Sequence, residues 1–415
     1  MRVLLLLLLV VRAAWAEPLT VEAAIAEALA NSPAVREAEA RVEETRYGVD
    51  EADAQGNPQL SASAGYRYGT PTVSFQTLPV VVNHNYEFQV GLQQALATFG
   101  RLEWATATAE LRRRSQEEGV RREREELRVQ VRESFANLWF ARESVEVARE
   151  LVRARREHLQ VVETRLKAGS VARYDQIASR AAAAEAEDRL VQAVSQEALA
   201  RAQLLMLLGR PLDGELELAG VFQPEEGLPD PTAATERALV RRPELTALNL
   251  AVEAAQARVH LEESQDNPLL SFSTQYSVRN ATAFQTDTFW STGVLLSIPL
   301  FDGGTSAARA GQARAVVTQL EQSRERLQRL VRLEVQQTFQ LLFTAGERRH
   351  LALARLEQTA EGVRIARLRY QAGVSTNQEV LDAETAHSQS LLDLRRTELD
   401  RRVAWARWER ATSGP

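Results

Sequence analysis

The 415-residue sequence predicts a mainly α-helical protein with a β-barrel part, built from two copies of one sequence repeat. Three observations predict this fold class. Long segments rich in Ala, Glu, Arg and Leu carry heptad repeats, which are typical of coiled-coil helices. Four segments of about ten residues alternate between apolar and polar side chains, which is the period of a β-strand. The same order of segments occurs twice along the chain, which indicates a duplication.

The composition fits long helices that bury a narrow seam rather than a broad core. Aromatic residues make up 6% of the chain and charged residues 26%. The formal net charge of -6 argues against nucleic acid as a partner. Cysteine is absent, which excludes disulfides, Cys-ligated metals and an acylated lipoprotein anchor.

Residues 1–16 are predicted to be a signal peptide. Arg2 precedes an apolar run from Val3 to Val11, and Ala14-Trp15-Ala16 fits the small-x-small cleavage rule. The apolar run is too short for a mature membrane anchor, and no later segment approaches 18 consecutive apolar residues. The mature protein is therefore expected either to be soluble outside the cytoplasm or to enter a membrane as strands.

Two repeats are predicted, over residues 17–210 and 232–415, joined by an irregular strap at 211–231 that is rich in proline and glycine. Thr20 and Ser32-Pro33 are predicted to begin short helices in the first repeat. Arg242-Pro243 and Asn267-Pro268 repeat Ser32-Pro33 and Asn57-Pro58 at one offset of 210 residues.

Each repeat contains a predicted β-hairpin, at about residues 58–96 and 268–299, whose strands are long enough to cross a bilayer core when tilted. The alternative is that both hairpins cover a soluble core. An open sheet edge cannot lie in lipid and four strands cannot close a barrel, so membrane strands require several chains; three chains give 12 strands. The alternating positions include Leu60, Tyr66, Tyr68, Tyr86, Phe88, Val90, Leu92, Phe272, Tyr276, Val278, Trp290, Val294 and Leu296.

A long helical hairpin follows each β-hairpin. In the first hairpin the outgoing helix is predicted at about 101–167 and the returning helix at about 173–208. In the second hairpin they are predicted at about 305–371 and 377–411. The tips lie near residues 168–172 and 372–376, where Gly169 and Gly373 allow a helix to end. The strongest heptads are Val131, Leu138, Val145, Val152, Leu159 and Leu166, with Ala141, Ala148 and Val162 at the companion position.

Glu379 and Asp382, just beyond the second tip, are three residues apart and share one helical face. In a threefold assembly they would form two stacked rings of three carboxylates, which attract cations and suit a narrow mouth. The alternative is two ordinary exposed acids stabilised by the dipole of a helix N-terminus.

The sequence offers no recognisable active site, so the protein is predicted not to be an enzyme and to need no cofactor. The five histidines are scattered and none has a metal-ligand spacing with acidic neighbours. There is no phosphate-binding glycine loop and no Gly-x-Ser-x-Gly motif.

The second tip and the strand-to-helix join before it carry a family resemblance. They read Tyr370-x-Ala372-Gly373-x-Ser375-x-x-x-Glu379-Val380-Leu381-Asp382-Ala383 and Pro299-Leu300-Phe301-Asp302-Gly303-Gly304. Together with the duplicated order of helix, hairpin and long helical hairpin, these motifs resemble the TolC-type outer-membrane efflux protein (outer membrane factor) family over essentially the whole mature sequence. The first join departs from the motif, with Leu96-Ala97-Thr98-Phe99-Gly100-Arg101 in its place.

This resemblance implies a homotrimer whose shared 12-stranded barrel lies in outer-membrane lipid and whose helical tunnel narrows at the tips in the periplasm. By motif position, Glu379 and Asp382 match the acidic constriction and Asp175 matches an acid of the tip network. Tyr370 lies at a gate position. Ser375 lies where some members have a locking arginine, so Arg173 or Arg369 is the candidate to replace it.

The resemblance also implies that the tips dock a periplasmic adaptor, the membrane fusion protein, which works with an inner-membrane pump of the RND, ABC or MFS type. The docking residues are Lys167, Ala168, Gly169, Ser170 and Val171 in the first tip and Gln371, Ala372, Gly373 and Val374 in the second.

The predicted function is the passive exit duct of a tripartite efflux or type I secretion system. A soluble periplasmic coiled-coil adaptor or scaffold is the alternative. It is less favoured because adaptors carry a distinct all-β module beside their hairpins, whereas here strands are duplicated with each helical repeat.

Overall fold

The computed structural model describes residues 18–69, 74–75, 78–79, 84–220, 227–282 and 285–412. The predicted signal peptide therefore lies outside the described residues. The helices are α1 (Val21–Asn31), α2 (Pro33–Ala54), α3 (Arg101–Lys167), α4 (Arg173–Leu208), α5 (Pro231–Arg241), α6 (Pro243–Glu263), α7 (Thr305–Gln371) and α8 (Asn377–Thr412). The strands are β1 (Gln59–Tyr68), β2 (Ser74–Phe75), β3 (Leu78–Pro79), β4 (His84–Ala97), β5 (Leu269–Thr282) and β6 (Gln285–Ser297).

The chain divides into two compact units, which are described separately. Unit 1 comprises Met1–Arg36, Arg121–Arg242 and Arg329–Pro415. Unit 2 comprises Glu37–Val120 and Pro243–Gln328.

Side-chain caps begin several helices, and the cap of α1 is the one that the sequence predicts. Thr20 Oγ1 accepts a hydrogen bond from the Ala23 amide at 3.1 Å at the start of α1. Before α7, Asp302 accepts from the amides of Gly304 and Ser306 at 2.8 and 2.5 Å. Hydrogen bonds from the Ser306 side chain and from these amides lower the pKa of Asp302 to about 2, so the cap stays charged.

The main core of unit 1 lies where α1 packs on α3, α4 and the segment that follows α4. Phe135 and Leu138 of α3 meet Leu204 and Leu208 of α4, and all four side chains are fully buried. Leu216 of the following segment joins this core, and its carbonyl accepts a hydrogen bond from Arg142. The segment is therefore held against the helices at this point.

Ion pairs place the long helices of unit 1 in the order α4, α3, α8, α7. Each pair joins side chains on two neighbouring helices, and within the described residues α4 and α7 lie at the two ends of the order. The pairs that mark it are Arg156 with Glu187, Arg395 with Glu143 and Arg355 with Asp393. None of the described helices is both long enough and apolar enough to cross a membrane.

The heptad prediction for α3 is confirmed over its middle part. Val131, Leu138, Val145 and Val152 are buried, whereas Leu159 and Leu166 are only half-buried. Nearer the tip the buried stripe passes instead through the companion position, as the fully buried Val162 shows.

The four long strands of unit 2 form one antiparallel sheet in the order β1-β4-β5-β6. The two predicted hairpins are thus present, and β4 pairs with β5 to join them. Within the described residues β1 and β6 are hydrogen-bonded on one side only, so the sheet has two open edges.

The pairing register aligns the apolar side chains on one face of this sheet. Ala64, Phe88, Val278 and Thr288 lie side by side across the four strands. Further along the same face lie Tyr66, Tyr86, Tyr276 and Trp290, among others. The side chains of this face are largely exposed, with Leu60 at 73% and Trp290 at 68%. The other face is mostly polar, with Leu269, Phe289 and Leu295 as its large apolar residues.

Candidate functional site: the two helical tips

Both tips of the long hairpins end their first helix in the same way. Gly169 and Gly373 have φ of 72° and 79°, a left-handed conformation that glycine adopts without steric cost. The Ser170 amide donates to the Arg165 carbonyl and the Val374 amide to the Arg369 carbonyl, both at 3.0 Å. These are the hydrogen bonds of a Schellman motif, which reverses the chain directly after the helix.

The predicted docking residues form two exposed turns. Lys167, Ala168, Gly169 and Ser170 are exposed and Val171 is half-buried. In the second turn Gln371, Ala372, Gly373 and Val374 are all exposed. Val374 presents a large apolar side chain to the surroundings, at 65% exposure.

Glu379 and Asp382 are both exposed on the first turns of α8. The Ser375 hydroxyl donates to Glu379 Oε2 at 2.6 Å, and Arg369 Nη1 lies 3.9 Å from the same oxygen. Asp382 Oδ1 accepts from Gln378 Nε2 at 2.8 Å. Of the two arginines considered as replacements for the missing lock, the structure places Arg369 beside Glu379.

Asp175 is joined to the second hairpin by a backbone hydrogen bond, and the charge of its carboxylate acts on Tyr370. Its carbonyl accepts a hydrogen bond from Asn377 Nδ2 at 3.3 Å. The side-chain carbonyl of Asn377 accepts from Ser179 Oγ at 3.2 Å and lies 2.6 Å from His158 Nε2, which is therefore the donor. Asn377 thus connects α3, α4 and α8 through its buried side chain.

His158 is held in its neutral form. Burial is the main cause that lowers its pKa, and the nearby charges of Arg155 and Arg367 lower it further. The hydrogen bond with Asn377 and the charge of Glu384 act in the opposite direction. The neutral ring, with its proton on Nε2, suits the acceptor that Asn377 presents.

Tyr370, at the predicted gate position, is buried inside the chain. It packs on Val162 and Val380, and its ring centroid lies 5.2 Å from that of His158. Burial raises the pKa of its hydroxyl, so the side chain is neutral at physiological pH.

Arg165 closes the end of α7 against α3. It donates to the carbonyls of Tyr370 and Gln371 at 2.7 and 2.6 Å, and its guanidinium lies 4.8 Å from the Tyr370 ring centroid. A cation at a helix C-terminus satisfies carbonyls that have no partner within the helix.

A buried ion cluster links α3, α7 and α8 a few turns behind the tips. Arg155 and Glu384 are 5% and 3% exposed, and Arg155 Nη1 lies 3.2 Å from Glu384 Oε2. Arg155 Nη2 also donates to the Leu381 carbonyl and to Thr385 Oγ1, both at 2.6 Å. Arg367 donates to the other Glu384 oxygen at 2.7 Å.

The sequence analysis did not find Arg155, His158, Asn377 and Glu384, although a signal was present. Arg155 occupies the companion heptad position between Ala148 and Val162, where an apolar residue is expected. Asn377 and Glu384 are seven residues apart and so lie on one stripe of α8. A charged residue inside an apolar heptad stripe is the pattern that indicates such a network.

The buried groups join the two helical hairpins of the chain. Among the described residues no group of three or more His, Asp and Glu side chains is placed to hold a metal ion. The buried groups instead bond α3 and α4 of one hairpin to α7 and α8 of the other. The cluster therefore fixes the position of the two tips relative to each other within the chain.

The family model for outer membrane efflux proteins matches residues 24–210 and 234–414. The alkaline protease secretion protein AprF of Pseudomonas aeruginosa is 28% identical over 340 residues, which cover 78% of this chain and 68% of AprF.

Solved structures have the same fold as this chain. A structure of CusC, described in connection with transmembrane channel formation, has a TM-score of 0.82 at 22% identity and covers 95% of this chain and 92% of its own. The outer membrane protein VceC of Vibrio cholerae has a TM-score of 0.81 at 19% identity, and the match covers 95% of this chain and 96% of VceC.

Removing Glu384 is expected to loosen the tips. Glu384→Leu leaves Arg155 as a buried cation without its carboxylate, which costs about 3–5 kcal/mol. The measurement is amide hydrogen exchange of the tip peptides, which reports the free energy of local opening. The double variant Arg155→Met/Glu384→Leu is expected to recover most of the loss. Glu361→Gln, which removes an exposed ion pair on α7, is the control; equal effects of Glu384→Leu and this control would contradict the buried cluster's role.

The tips are also expected to loosen in mild acid. In the opened chain His158 regains a pKa of about 6.5, so below that pH opening is coupled to proton uptake. The stability of the closed tip therefore falls as the pH drops from about 6.5 towards the lowered pKa of the buried ring. Hydrogen exchange at pH 7.5 and 5.5, corrected for intrinsic rates, measures this. His158→Gln is expected to lose the dependence, and an unchanged dependence would assign it to another group.

Proposed function

The chain belongs to the outer membrane efflux protein family, and on that premise we propose that three copies form the passive exit duct of a tripartite efflux or type I secretion system. The family is one of outer-membrane exit ducts. The relative AprF is named for the secretion of an alkaline protease, which favours polypeptides as one class of cargo beside small molecules. The duct supplies an aqueous path, and the energy comes from an inner-membrane pump.

The observation that carries this proposal is the four-stranded sheet with one exposed apolar face and two open edges. An exposed apolar face of this extent suits hydrocarbon rather than water. Open edges are not tolerated in hydrocarbon, because their amides and carbonyls have no partner there. Three copies pairing β1 of one with β6 of the next give 12 strands and satisfy both edges. A soluble coiled-coil adaptor or scaffold leaves both features unexplained.

The end helices of unit 1 support the same assembly. α4 and α7 each carry large apolar side chains that are exposed in the isolated chain, and contacts between α4 of one chain and α7 of the next would bury them. These side chains are Tyr174, Ile177, Val191, Val194 and Leu199 on α4, and Leu330, Leu333, Phe343, Leu351, Ile365 and Leu368 on α7.

At the tips, a threefold axis would bring three copies of the exposed Glu379 and Asp382 around one opening. Such carboxylate rings give a narrow pore a preference for cations. The exposed turns at Lys167–Val171 and Gln371–Val374 are the proposed contact for a periplasmic adaptor. The hydrogen bond from Ser375 and the nearby Arg369 hold Glu379 in place in this proposal.

Assembly is tested by placing a charge on α7. Leu333 lies two residues from each of the buried Val331 and Val335, so it points away from the packed face of its helix. Leu333→Glu is expected to shift the detergent-extracted protein from trimer towards monomer, because it puts a carboxylate into the proposed interface. Native mass spectrometry measures the shift. The control is Val161→Glu. Val161 is on α3, a helix that lies between two helices of its own chain and therefore outside the proposed interface. The interface would be contradicted if Leu333→Glu left as much trimer as this control.

Pore selectivity is tested at the carboxylates. Glu379→Ala/Asp382→Ala is expected to reduce the cation preference, because it removes the charged rings. The reversal potential of single channels in a salt gradient measures this preference. Glu361→Gln on α7 removes one exposed acid elsewhere and is expected to leave the potential unchanged. Unchanged selectivity in the double variant would show that neither residue lines the constriction.

A further inference from the structure

A cavity among the helices of unit 2 is a second candidate site, separate from the tips. Its volume is about 930 Å³, within the range of pockets that hold drug-sized molecules. Side chains of α3, α6 and α7 form most of its wall, and Thr45 of α2 completes it.

Part of the cavity wall is apolar. α6 contributes Ala251, Ala254 and Ala255, whose small side chains leave room between the helices. α7 contributes Val316 and Leu320. Val316 is 44% exposed, so its apolar surface is available to a molecule in the cavity.

The charged side chains of the wall are mostly basic. They are Arg112, Arg258, Arg309 and Glu262. Arg258 Nε donates to Glu262 Oε1 at 2.6 Å, which neutralises one pair. The other two arginines leave a formal charge of two positive units on the wall.

Arg112 and Arg309 make no ion pair or hydrogen bond among the residues that the structure describes. The arginines next to Arg112 behave differently, because Arg113 and Arg114 both bond to Glu110 at 2.8–2.9 Å. The Arg112 and Arg309 guanidiniums therefore keep all their donors available beside an apolar wall.

We propose that this cavity binds an amphipathic anion, that is, an apolar body carrying a sulfonate, carboxylate or phosphate. The planar donor fork of arginine matches the oxygens of these groups and bonds them strongly. The apolar body lies against α6 and α7 and removes their exposed surface from water. The test of this site does not depend on the exit-duct proposal, because it measures binding without transport.

The test uses the full mature protein in phosphatidylcholine nanodiscs and the fluorescent probe 1-anilinonaphthalene-8-sulfonate. Arg112→Gln and Arg309→Gln are each expected to weaken binding about tenfold, the loss of one charged hydrogen-bonding partner. The control is Arg326→Gln, an exposed arginine of α7 outside the cavity, which is expected to leave binding unchanged.

A second probe, N-phenyl-1-naphthylamine, separates the apolar contact from the charge because it lacks the sulfonate. Its binding is expected to be insensitive to both arginine variants. Val316→Trp, which fills the cavity, is expected to weaken both probes. Sulfonate binding that is unaffected by the arginine variants, or reduced equally by Arg326→Gln, would overturn the proposal.

Competition identifies the source of the natural anion. Displacement of the sulfonate probe by phosphatidylglycerol in the nanodisc indicates a lipid headgroup, whereas displacement by dissolved deoxycholate indicates a soluble amphiphile. Both outcomes support an amphipathic-anion site. The proposal would be overturned if neither competitor displaced the sulfonate probe at concentrations well above that of the probe.

Discussion

The exposed apolar face of the β-sheet is the constraint on which the rest of the molecule depends. Its tyrosine, phenylalanine and tryptophan side chains are aligned across four strands, and the described helices do not cover them. Exposure of this apolar face to water is unfavourable, and exposure of the two open sheet edges to hydrocarbon is unfavourable as well. The proposed assembly, in which several copies join edge to edge, would remove both problems. The exposed apolar side chains on α4 and α7 are expected to be buried in the same proposed assembly.

The tips show the opposite use of burial. There, polar groups are buried and paired, as in the contact of Asn377 with His158 and Ser179. Buried polar networks specify one arrangement of helices, since any other arrangement leaves a group without its partner. A carboxylate shared by Arg155 and Arg367 therefore defines one position of the two hairpins rather than adding general stability.

Periodicity made most of the fold predictable from the sequence. The alternation that begins at Leu60 and the capping residue Thr20 are local signals, and the structure has the strand and helix that they predict. The buried cluster was not predicted, because whether Arg155 points into the helix bundle depends on a partner 229 residues away along the chain. The roles of Glu379 and Asp382 remain predictions, since they depend on neighbouring copies of the chain.

The most direct test of this account is the environment of each sheet face in lipid. The chain has no cysteine, so a single spin label can be attached at Val294→Cys on the apolar face or at Ser291→Cys on the polar face. In liposomes, the label at position 294 is expected to be accessible to oxygen, which concentrates in hydrocarbon. The label at position 291 is expected to be accessible to a water-soluble nickel chelate. Equal access of the chelate to both positions would contradict a membrane sheet, and with it the shared assembly.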